Sequence, residues 1–306
     1  MNVKGKLWLA PLRGVTIRAF RETFAAAIRE AGFAGAFAPF IPANPGIRVG
    51  DRLLDDLRPF PSEAPPALPL VPQVITKHPD AMRTLLRAFR ERGFDRADLN
   101  AGCPFPMIVR RGRGSGLFKT PDVLERLLAA GCEEMGPGRF SLKIRLGLAA
   151  PDELLALMPT INRYPLAVLT IHARTARQMY DGDVDLAHFR EACAASANPV
   201  LYNGDVGLTL RAAPEGPPNL RGAMVGRGFV RALGERPDAA TLLAGYLDRS
   251  CAELSGDQPV LGRMKELLSY WKDLPGWKRL WPTVKICRTV CELRAVLPHN
   301  GKCKEE

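Results

Sequence analysis

Short apolar segments alternate with longer amphipathic segments over the first three quarters of the chain. The apolar segments have the length of strands buried on both faces, and the segments between them have the apolar spacing of helices. Proline opens several of the helical segments, which suits the first helical turn. The pattern predicts strands at residues 7–10, 35–40, 70–74, 97–100, 141–144, 167–171, 199–203 and 223–225, and helices at 17–31, 79–92, 121–135, 151–162 and 185–194.

This alternation predicts an α/β fold, a (β/α)8 TIM barrel with a C-terminal all-helical domain. Eight strand–helix units in about 230 residues fit a closed barrel better than an open doubly wound sheet. The alternation stops after about residue 233, and residues 237–297 read as helices only, with breaks near Gly256, Pro275 and Pro282. We therefore predict a catalytic barrel domain over residues 1–235 and a helical domain over residues 236–306.

Net charge adds a possible partner to this picture. The chain has 43 Lys and Arg against 32 Asp and Glu, a formal charge of +11. Such an excess favours a polyanionic partner, although an arginine-rich enzyme of any other kind fits equally well. Residues 259–306 hold ten Lys and Arg and five Asp and Glu, a local balance of +5, together with three of the four tryptophans. A basic, aromatic, helical tail suits binding to an irregular nucleic acid, while we expect most of these tryptophans to be packing residues.

Composition sets expectations for location and assembly. No run of 18 apolar residues occurs and no apolar segment follows the N-terminal lysines, so we expect neither a membrane span nor a signal peptide. The seven cysteines have no framework spacing, which favours reduced thiols in the cytoplasm. We expect a monomer.

Cys103 is the first candidate for chemistry. It follows the fourth predicted strand in the segment Asp98-Leu99-Asn100-Ala101-Gly102-Cys103-Pro104. Glycine permits a close approach of the backbone and proline fixes the exit direction of the chain. A thiol held in such a loop is placed to act on a molecule bound above the strand ends.

Cations and anion-binding turns follow the later strands. Lys143 and Arg145 point the same way from the fifth strand, and His172 and Arg174 follow the sixth, which predicts contacts to an anion or a carbonyl group rather than a general base. In barrels the loops after strands seven and eight often bind phosphate. The residues at these two turns are Asn203, Gly204, Asp205, Gly226 and Arg227.

Two other patterns are weak. Gly112-Arg113-Gly114-Ser115-Gly116 resembles a dinucleotide-binding loop, but Leu117 takes the place of the third glycine and no strand directly precedes it. Cys287, Cys291, His299 and Cys303 could supply four zinc ligands, but the two cysteines one helical turn apart are more simply buried. We predict no metal site.

The ordered set of motifs resembles the tRNA-dihydrouridine synthases of the bacterial type. The most specific element is Asn-x-Gly-Cys-Pro at residues 100–104, and the resemblance runs from Leu9 to about Arg231. Further matching segments are residues 10–16, Gln73, residues 112–114, 143–147, 172–174, 203–205 and 224–228. The helical tail resembles the C-terminal domain of that family by position only.

The resemblance implies an enzyme that uses FMN and NADPH to reduce the C5–C6 double bond of particular uridines in tRNA. Cys103 would be the catalytic proton donor, and Asn100, Arg145 and Arg174 would lie near the uracil. The flavin ring and ribityl chain would contact Pro11, Leu12, Arg13, Gln73, Lys143 and His172, and the FMN phosphate would contact Asn203, Gly204, Asp205, Gly226 and Arg227. Arg110, Arg111 and Arg113 on the Cys103 loop could contact tRNA phosphates.

Several positions depart from the family pattern and concern the substrate rim. Arg13, Ile17, Pro106 and the pair at residues 38–39 stand where that family usually has other residues. They leave the identity of the uridine open. Two alternative functions also stay open at this point: a flavin enzyme that acts on a free pyrimidine, and a non-catalytic barrel protein that binds tRNA.

Overall fold

The computed structural model describes residues 6–59, 68–207 and 217–298. The chain forms two compact units. The first consists of Met1–Pro11 and Phe33–Val225, and the second of Leu12–Gly32 and Gly226–Glu306. The predicted domains, residues 1–235 and 236–306, stay a prediction, because compactness does not test whether a segment folds or functions by itself.

All strands of the described residues lie in the first unit and form one parallel sheet. Their order in the sheet is β3-β5-β6-β7-β8-β9-β10-β1-β2-β4. The strands are β1 Lys6–Leu9, β2 Phe33–Phe37, β3 Ile41–Pro42, β4 Leu70–Val71, β5 Gln73–Ile75, β6 Ala97–Ala101, β7 Phe140–Gly147, β8 Val168–Thr175, β9 Val200–Asn203 and β10 Leu220–Val225.

The sheet closes through a strand that is interrupted at Pro72. On one side of this proline β4 pairs with β2, and on the other side β5 pairs with β6. Proline has no N–H to donate to a sheet, so the ladder breaks there while the chain runs on. β1 pairs with both β2 and β10. When β4 and β5 are counted as one interrupted strand and the short β3 is left aside, eight strands therefore complete a ring. The prediction of a parallel α/β barrel is confirmed, with strand boundaries within a few residues of those expected.

Helices alternate with these strands and then continue alone. They are α1 Arg18–Thr23, α2 Ala25–Glu30, α3 Pro79–Glu91, α4 Pro106–Arg110, α5 Pro121–Met135, α6 Glu153–Ile161, α7 Leu186–Ala195, α8 Arg227–Leu233, α9 Ala239–Glu253, α10 Asp257–Ser269, α11 Trp281–Ile286 and α12 Val290–Val296. Short 3-10 helices cover Asp55–Leu57 and Gly114–Lys119. The helix break predicted near Pro282 lies directly before it, since α11 begins at Trp281 and a proline is tolerated in the first helical turn.

Packing of the first unit depends on a close approach between β1 and β2. Trp8 meets Phe37 edge to face, with ring centroids 5.4 Å apart. Gly35 makes room for the indole, since a Cβ at this position would overlap the Trp8 ring. Val71 and Met224 complete the same buried cluster. Small and large side chains on neighbouring strands thus interlock, as a filled barrel requires.

The second unit has an aromatic core of its own. Phe20 and Phe24 of the N-terminal helices pack against Tyr246 of α9, with ring centroids 6.3 and 5.6 Å apart. Trp271 is fully buried and its indole N–H donates to Val230 O at 2.6 Å, while Trp277 donates to Gly234 O at 2.9 Å. These two tryptophans are packing residues, as expected. Among the residues that the structure describes, no helix is long and apolar enough to span a membrane.

Candidate active site

The Cys103 loop is held by backbone hydrogen bonds on both sides of the thiol. Asn100 Oδ1 accepts from Gly102 N at 3.2 Å and from Cys103 N at 2.9 Å. On the other side, Ser115 N donates to Cys103 O at 3.0 Å. A Cβ at Gly114 would lie 2.8 Å from Cys103 Cβ, so only glycine allows this return of the chain. Cys103 is buried, with 7% of its surface exposed, on a loop with little freedom to move.

A chain of side-chain amides anchors this loop to the barrel. Asn100 Nδ2 donates to Gln73 Oε1 at 2.8 Å, and Gln73 Nε2 donates to Asp98 Oδ2 at 2.7 Å. Because Asp98 Oδ2 accepts from the amide nitrogen of Gln73, it fixes the orientation of the Gln73 amide and, through it, that of Asn100. The Asn100 oxygen is thereby turned toward the two loop N–H groups.

Asp98 belongs to the sequence motif, but the sequence does not predict it as a site residue. It is fully buried, and Oδ1 has no hydrogen-bond partner among the described residues. Burial raises the pKa of Asp98 to about 7, although the hydrogen bond from Gln73 and the charge of Lys143 lower it. Its position two residues before Asn100, on the same face of β6, is the only signal in the sequence.

Lys143 and Arg145 lie on β7, next to Asn100 and His172 of the neighbouring strands in register. Lys143 Nζ donates to Asn203 Oδ1 at 2.9 Å, and Asn203 Nδ2 donates to Met224 O at 2.8 Å. Burial and the nearby charge of Arg145 lower the pKa of Lys143 to about 8. Lys143 therefore still carries most of its charge at neutral pH.

Arg145 holds backbone carbonyl groups of two loops. Its guanidinium donates to Gly102 O at 2.9 Å, to Thr175 O at 2.9 Å and to Met179 O at 2.7 Å, and it lies 5.3 Å from the Tyr180 ring centroid. Burial lowers its pKa to about 10, so it stays cationic. This arrangement makes Arg145 a support of the Cys103 loop, while its predicted contact to the uracil stays a prediction.

His172 and Arg174 are both buried after the middle of β8. Arg174 donates to Gly182 O at 3.2 and 2.6 Å and forms an ion pair with Asp205. Its Nη1 is buried with no hydrogen-bond partner among the described residues. A buried donor of this kind is costly unless a ligand accepts from it, so this side of the site suits an anion or a carbonyl oxygen.

The turn after β9 packs closely beside His172. Gly204 has φ +133°, and a Cβ there would lie 2.9 Å from Val184 Cγ1 and 3.3 Å from His172 Cδ2. Asp205 also has a positive φ, of 47°, which is uncommon for a residue other than glycine. The turn is therefore packed closely against Val184 and His172, and only glycine fits at position 204. Its predicted phosphate contact stays a prediction.

The first unit brings together most of the predicted site residues at one end of its strands. Pro11 ends the segment that follows β1, in the same unit. Four of the predicted flavin contacts belong to the second unit: Leu12, Arg13, Gly226 and Arg227. There Leu12 N donates to Thr16 Oγ1 at 2.8 Å, and Gly226 precedes the first residue of α8. The roles predicted for Leu12, Arg13, Gly226 and Arg227 stay predictions.

The zinc alternative lies partly outside the described residues, which do not include His299 and Cys303. Cys287 is buried and donates to Thr283 O at 3.3 Å, whereas Cys291 is exposed. Over the described ranges no group of three or more His, Cys, Asp or Glu side chains could hold a metal ion.

Comparison with known proteins decides the family. Residues 8–237 match the family model described as dihydrouridine synthase (Dus). The chain belongs to the dihydrouridine synthase family. The matched range begins within β1 and runs past β10, so it includes at least part of every strand.

Two similar members of the dihydrouridine synthase family carry the name tRNA-dihydrouridine synthase B. The protein from Serratia marcescens is 29% identical over 198 residues, which are 64% of this chain and 57% of that protein. The protein from Escherichia coli (strain K12) is 27% identical over 215 residues, which are 69% of this chain and 63% of that protein. The matches thus cover less than two thirds of the relatives' length.

Solved structures show the same fold at low sequence identity. TcOYE with pHBA superposes with a TM-score of 0.52 at 12% identity, covering 77% of this chain and 89% of that chain. Morphinone reductase superposes with a TM-score of 0.50 at 11% identity, covering 74% of this chain and 83% of that chain. This dihydrouridine synthase family member therefore shares their barrel fold.

Proposed function

We propose that this protein is a flavin-dependent oxidoreductase that reduces uridines of tRNA to 5,6-dihydrouridine. The observation that carries the proposal is the Cys103 loop. A buried thiol is anchored by Asn100 and Arg145 at the strand ends of a dihydrouridine synthase barrel. The names of the similar curated proteins support tRNA as the substrate.

The side chains around Cys103 fit a bound FMN. Lys143 offers a charge that is mostly present at neutral pH, and Arg174 offers a buried N–H with no acceptor among the described residues. These features suit an anionic, oxygen-rich ligand. We propose Gln73, Lys143, His172, Asn203, Gly204 and Asp205 as flavin contacts.

Each component has its own part in the reaction. A bound FMN would supply hydride chemistry at C6 of the uracil, and we propose NADPH as the reductant of the flavin. Cys103 then donates its thiol proton to C5, because ordinary thiols are protonated near neutral pH and general acids act in that form. Asn100 and Arg145 keep the loop in place while the proton moves. We place the uracil beside Asn100, Arg145 and Arg174.

The helical tail is our proposed second contact to tRNA. Lys272, Lys278, Arg279, Lys285 and Arg288 are exposed there, and none of them forms an ion pair with another described residue. Unpaired cations on a helical surface suit phosphate groups, which bind through sequence-independent electrostatic contacts. We propose residues 236–306 as a tRNA-binding domain, the protein as a monomer and the cytoplasm as its location.

Substitution of the thiol tests this function directly. Cys103→Ala should retain FMN absorbance and lose dihydrouridine formation on unmodified tRNA by about 100-fold or more, the usual contribution of a general acid. Cys132→Ala, on α5, is the matched control and should stay active. Product is measured by mass spectrometry of digested tRNA. A purified protein that does not bind FMN would overturn the proposal, and so would turnover of free uracil in preference to tRNA.

A further inference from the structure

Two large apolar side chains are exposed next to the candidate active site. Phe105 is 46% exposed and Met107 is 62% exposed, and they are two of the four large apolar side chains that are exposed among the described residues. Phe105 lies only two residues after the buried Cys103. Scattered apolar side chains on a surface are ordinary. An exposed aromatic ring two residues from the candidate proton donor is, by contrast, placed to contact a bound substrate.

The backbone under this pair is rigid. Pro104 and Pro106 flank Phe105, and their rings limit the backbone conformations of this segment. Phe105 O accepts from Ile108 N at 2.8 Å and from Val109 N at 3.0 Å. The returning segment packs closely, since a Cβ at Gly116 would lie 2.6 Å from Val109 O. The backbone that carries the ring therefore has little conformational entropy left to lose.

Cations surround this apolar surface. Lys77, Arg110 and Arg111 are exposed and form no ion pair with any described residue, and Arg113 donates to the neutral Asn44 side chain. A Cβ at Gly112 would lie 3.4 Å from Lys77 Cδ, which places Lys77 beside the loop. Burial lowers the pKa of His78, and so do the charges of Lys77 and Arg113.

This lack of partners is not general in the first unit. On α3, Arg83 pairs with Glu133 at 2.6 Å and Arg87 pairs with Glu134 at 2.6 Å. Uncompensated positive charge next to an exposed aromatic ring matches a single-stranded nucleic acid, which offers phosphates and stacking faces together. An acidic protein segment would satisfy the charge but would have no need of the ring.

We propose that Phe105 is a stacking platform for the tRNA base next to the flipped uridine, and that Lys77, Arg110 and Arg111 bind the adjoining phosphates. This inference rests on the proposed function. Extruding a base leaves its neighbour unstacked, and the free energy that this costs must be recovered elsewhere. An aromatic ring two residues from the proton donor can recover part of it by stacking on that neighbour.

Three substitutions at one position separate stacking from apolar contact. Phe105→Trp keeps an aromatic face, Phe105→Leu keeps apolar volume without one, and Phe105→Ala removes both. Affinity for unmodified tRNA should fall roughly 10-fold in the Leu and Ala variants and stay near that of the wild type in the Trp variant. In the Phe105→Trp variant, tRNA should quench more indole fluorescence than it does in the wild type. FMN binding should be unchanged in all three.

Charge substitutions test the phosphate contacts. Replacing Lys77, Arg110 and Arg111 together by Gln should lower the slope of log affinity against log salt concentration by about 2 to 3. Arg190→Gln on α7, which removes an exposed arginine with no ion pair among the described residues, is the matched control and should change the slope by less than about 1.

The outcomes distinguish the platform from the proposed function. If the wild-type protein forms dihydrouridine and Phe105→Ala binds tRNA as tightly as the wild type, the platform is wrong while the function stands. If Phe105→Leu binds as well as Phe105→Trp, stacking is wrong. If polyglutamate displaces bound tRNA as effectively as RNA of equal charge does, the surface recognises charge alone, and the partner is an acidic protein segment rather than RNA. If the wild type binds no tRNA, both proposals fail.

Discussion

At the scale of single residues, Asp98 shows how a buried carboxyl group orders a site that it does not enter. Asp98 Oδ2 accepts a hydrogen bond from Gln73 Nε2 at 2.7 Å. Gln73 in turn orients the Asn100 amide, whose oxygen accepts from the backbone N–H of Cys103. The motif identifies Asn100 and Cys103 from local sequence. The Gln73 bond joins residues 25 positions apart, so only the strand register reveals it.

The raised pKa of Asp98 predicts a pH-dependent stability. Its pKa is about 7 in the folded state and near 3.9 in an unfolded chain, so folding stability is lost as pH rises through this window. Asp98→Asn keeps an oxygen for Gln73 and removes the charge. From about pH 5 to pH 8, the difference in free energy of unfolding should shift by about 2–3 kcal/mol in favour of the variant. Urea titrations at both pH values measure it, and a constant difference would contradict the prediction.

At the scale of secondary structure, neighbours decide what a glycine does inside a helix. Gly131 in α5 faces the Phe140 ring at the start of β7, where a Cβ would overlap the ring. Gly245 in α9 is exposed, and a Cβ would make an ordinary contact of 3.9 Å with Thr23 Cγ2. Both glycines lower the intrinsic helix propensity of their segments, and nothing in the local sequence distinguishes one from the other.

Alanine substitutions at these two glycines should change the free energy of unfolding in opposite directions. Gly131→Ala should lower the free energy of unfolding by about 1–3 kcal/mol, because the Phe140 ring is fully buried and has no room to move. Gly245→Ala should raise it by about 0.5–1 kcal/mol through helix propensity. Chemical denaturation compares both with the wild type. Adding Phe140→Leu should recover part of the loss at Gly131, and a loss that is unaffected would contradict the steric reason.

At the scale of the whole molecule, each compact unit carries positive charge of its own. The first unit has Lys77, Arg110 and Arg111 near Cys103, and the second has exposed cations along its C-terminal helices. The net charge of +11 is thus concentrated in part on unpaired side chains rather than absorbed by ion pairs. This distribution favours a large anion that both units can attract.

The proposed FMN site predicts that FMN measurably stabilises the whole protein. FMN at about 100 times its dissociation constant should raise the free energy of unfolding by about 2.7 kcal/mol and raise Tm accordingly. Riboflavin at the same concentration is the control, since it lacks the phosphate. It should produce a smaller shift of Tm in thermal scans of the flavin-free protein. Equal shifts would contradict a phosphate site.

Local sequence is enough to predict the strands, the residues at their ends and the family motif around Cys103. These features depend on alternation, turn residues and short motifs, which act between near neighbours along the chain. Four features follow from tertiary structure only: the closure at Pro72, the buried chain from Asp98 to Cys103, the three carbonyl partners of Arg145, and the division that assigns Leu12 and Gly226 to a second unit. Strand register and packing bring these residues together from distant parts of the chain, and no local pattern encodes the distance between them.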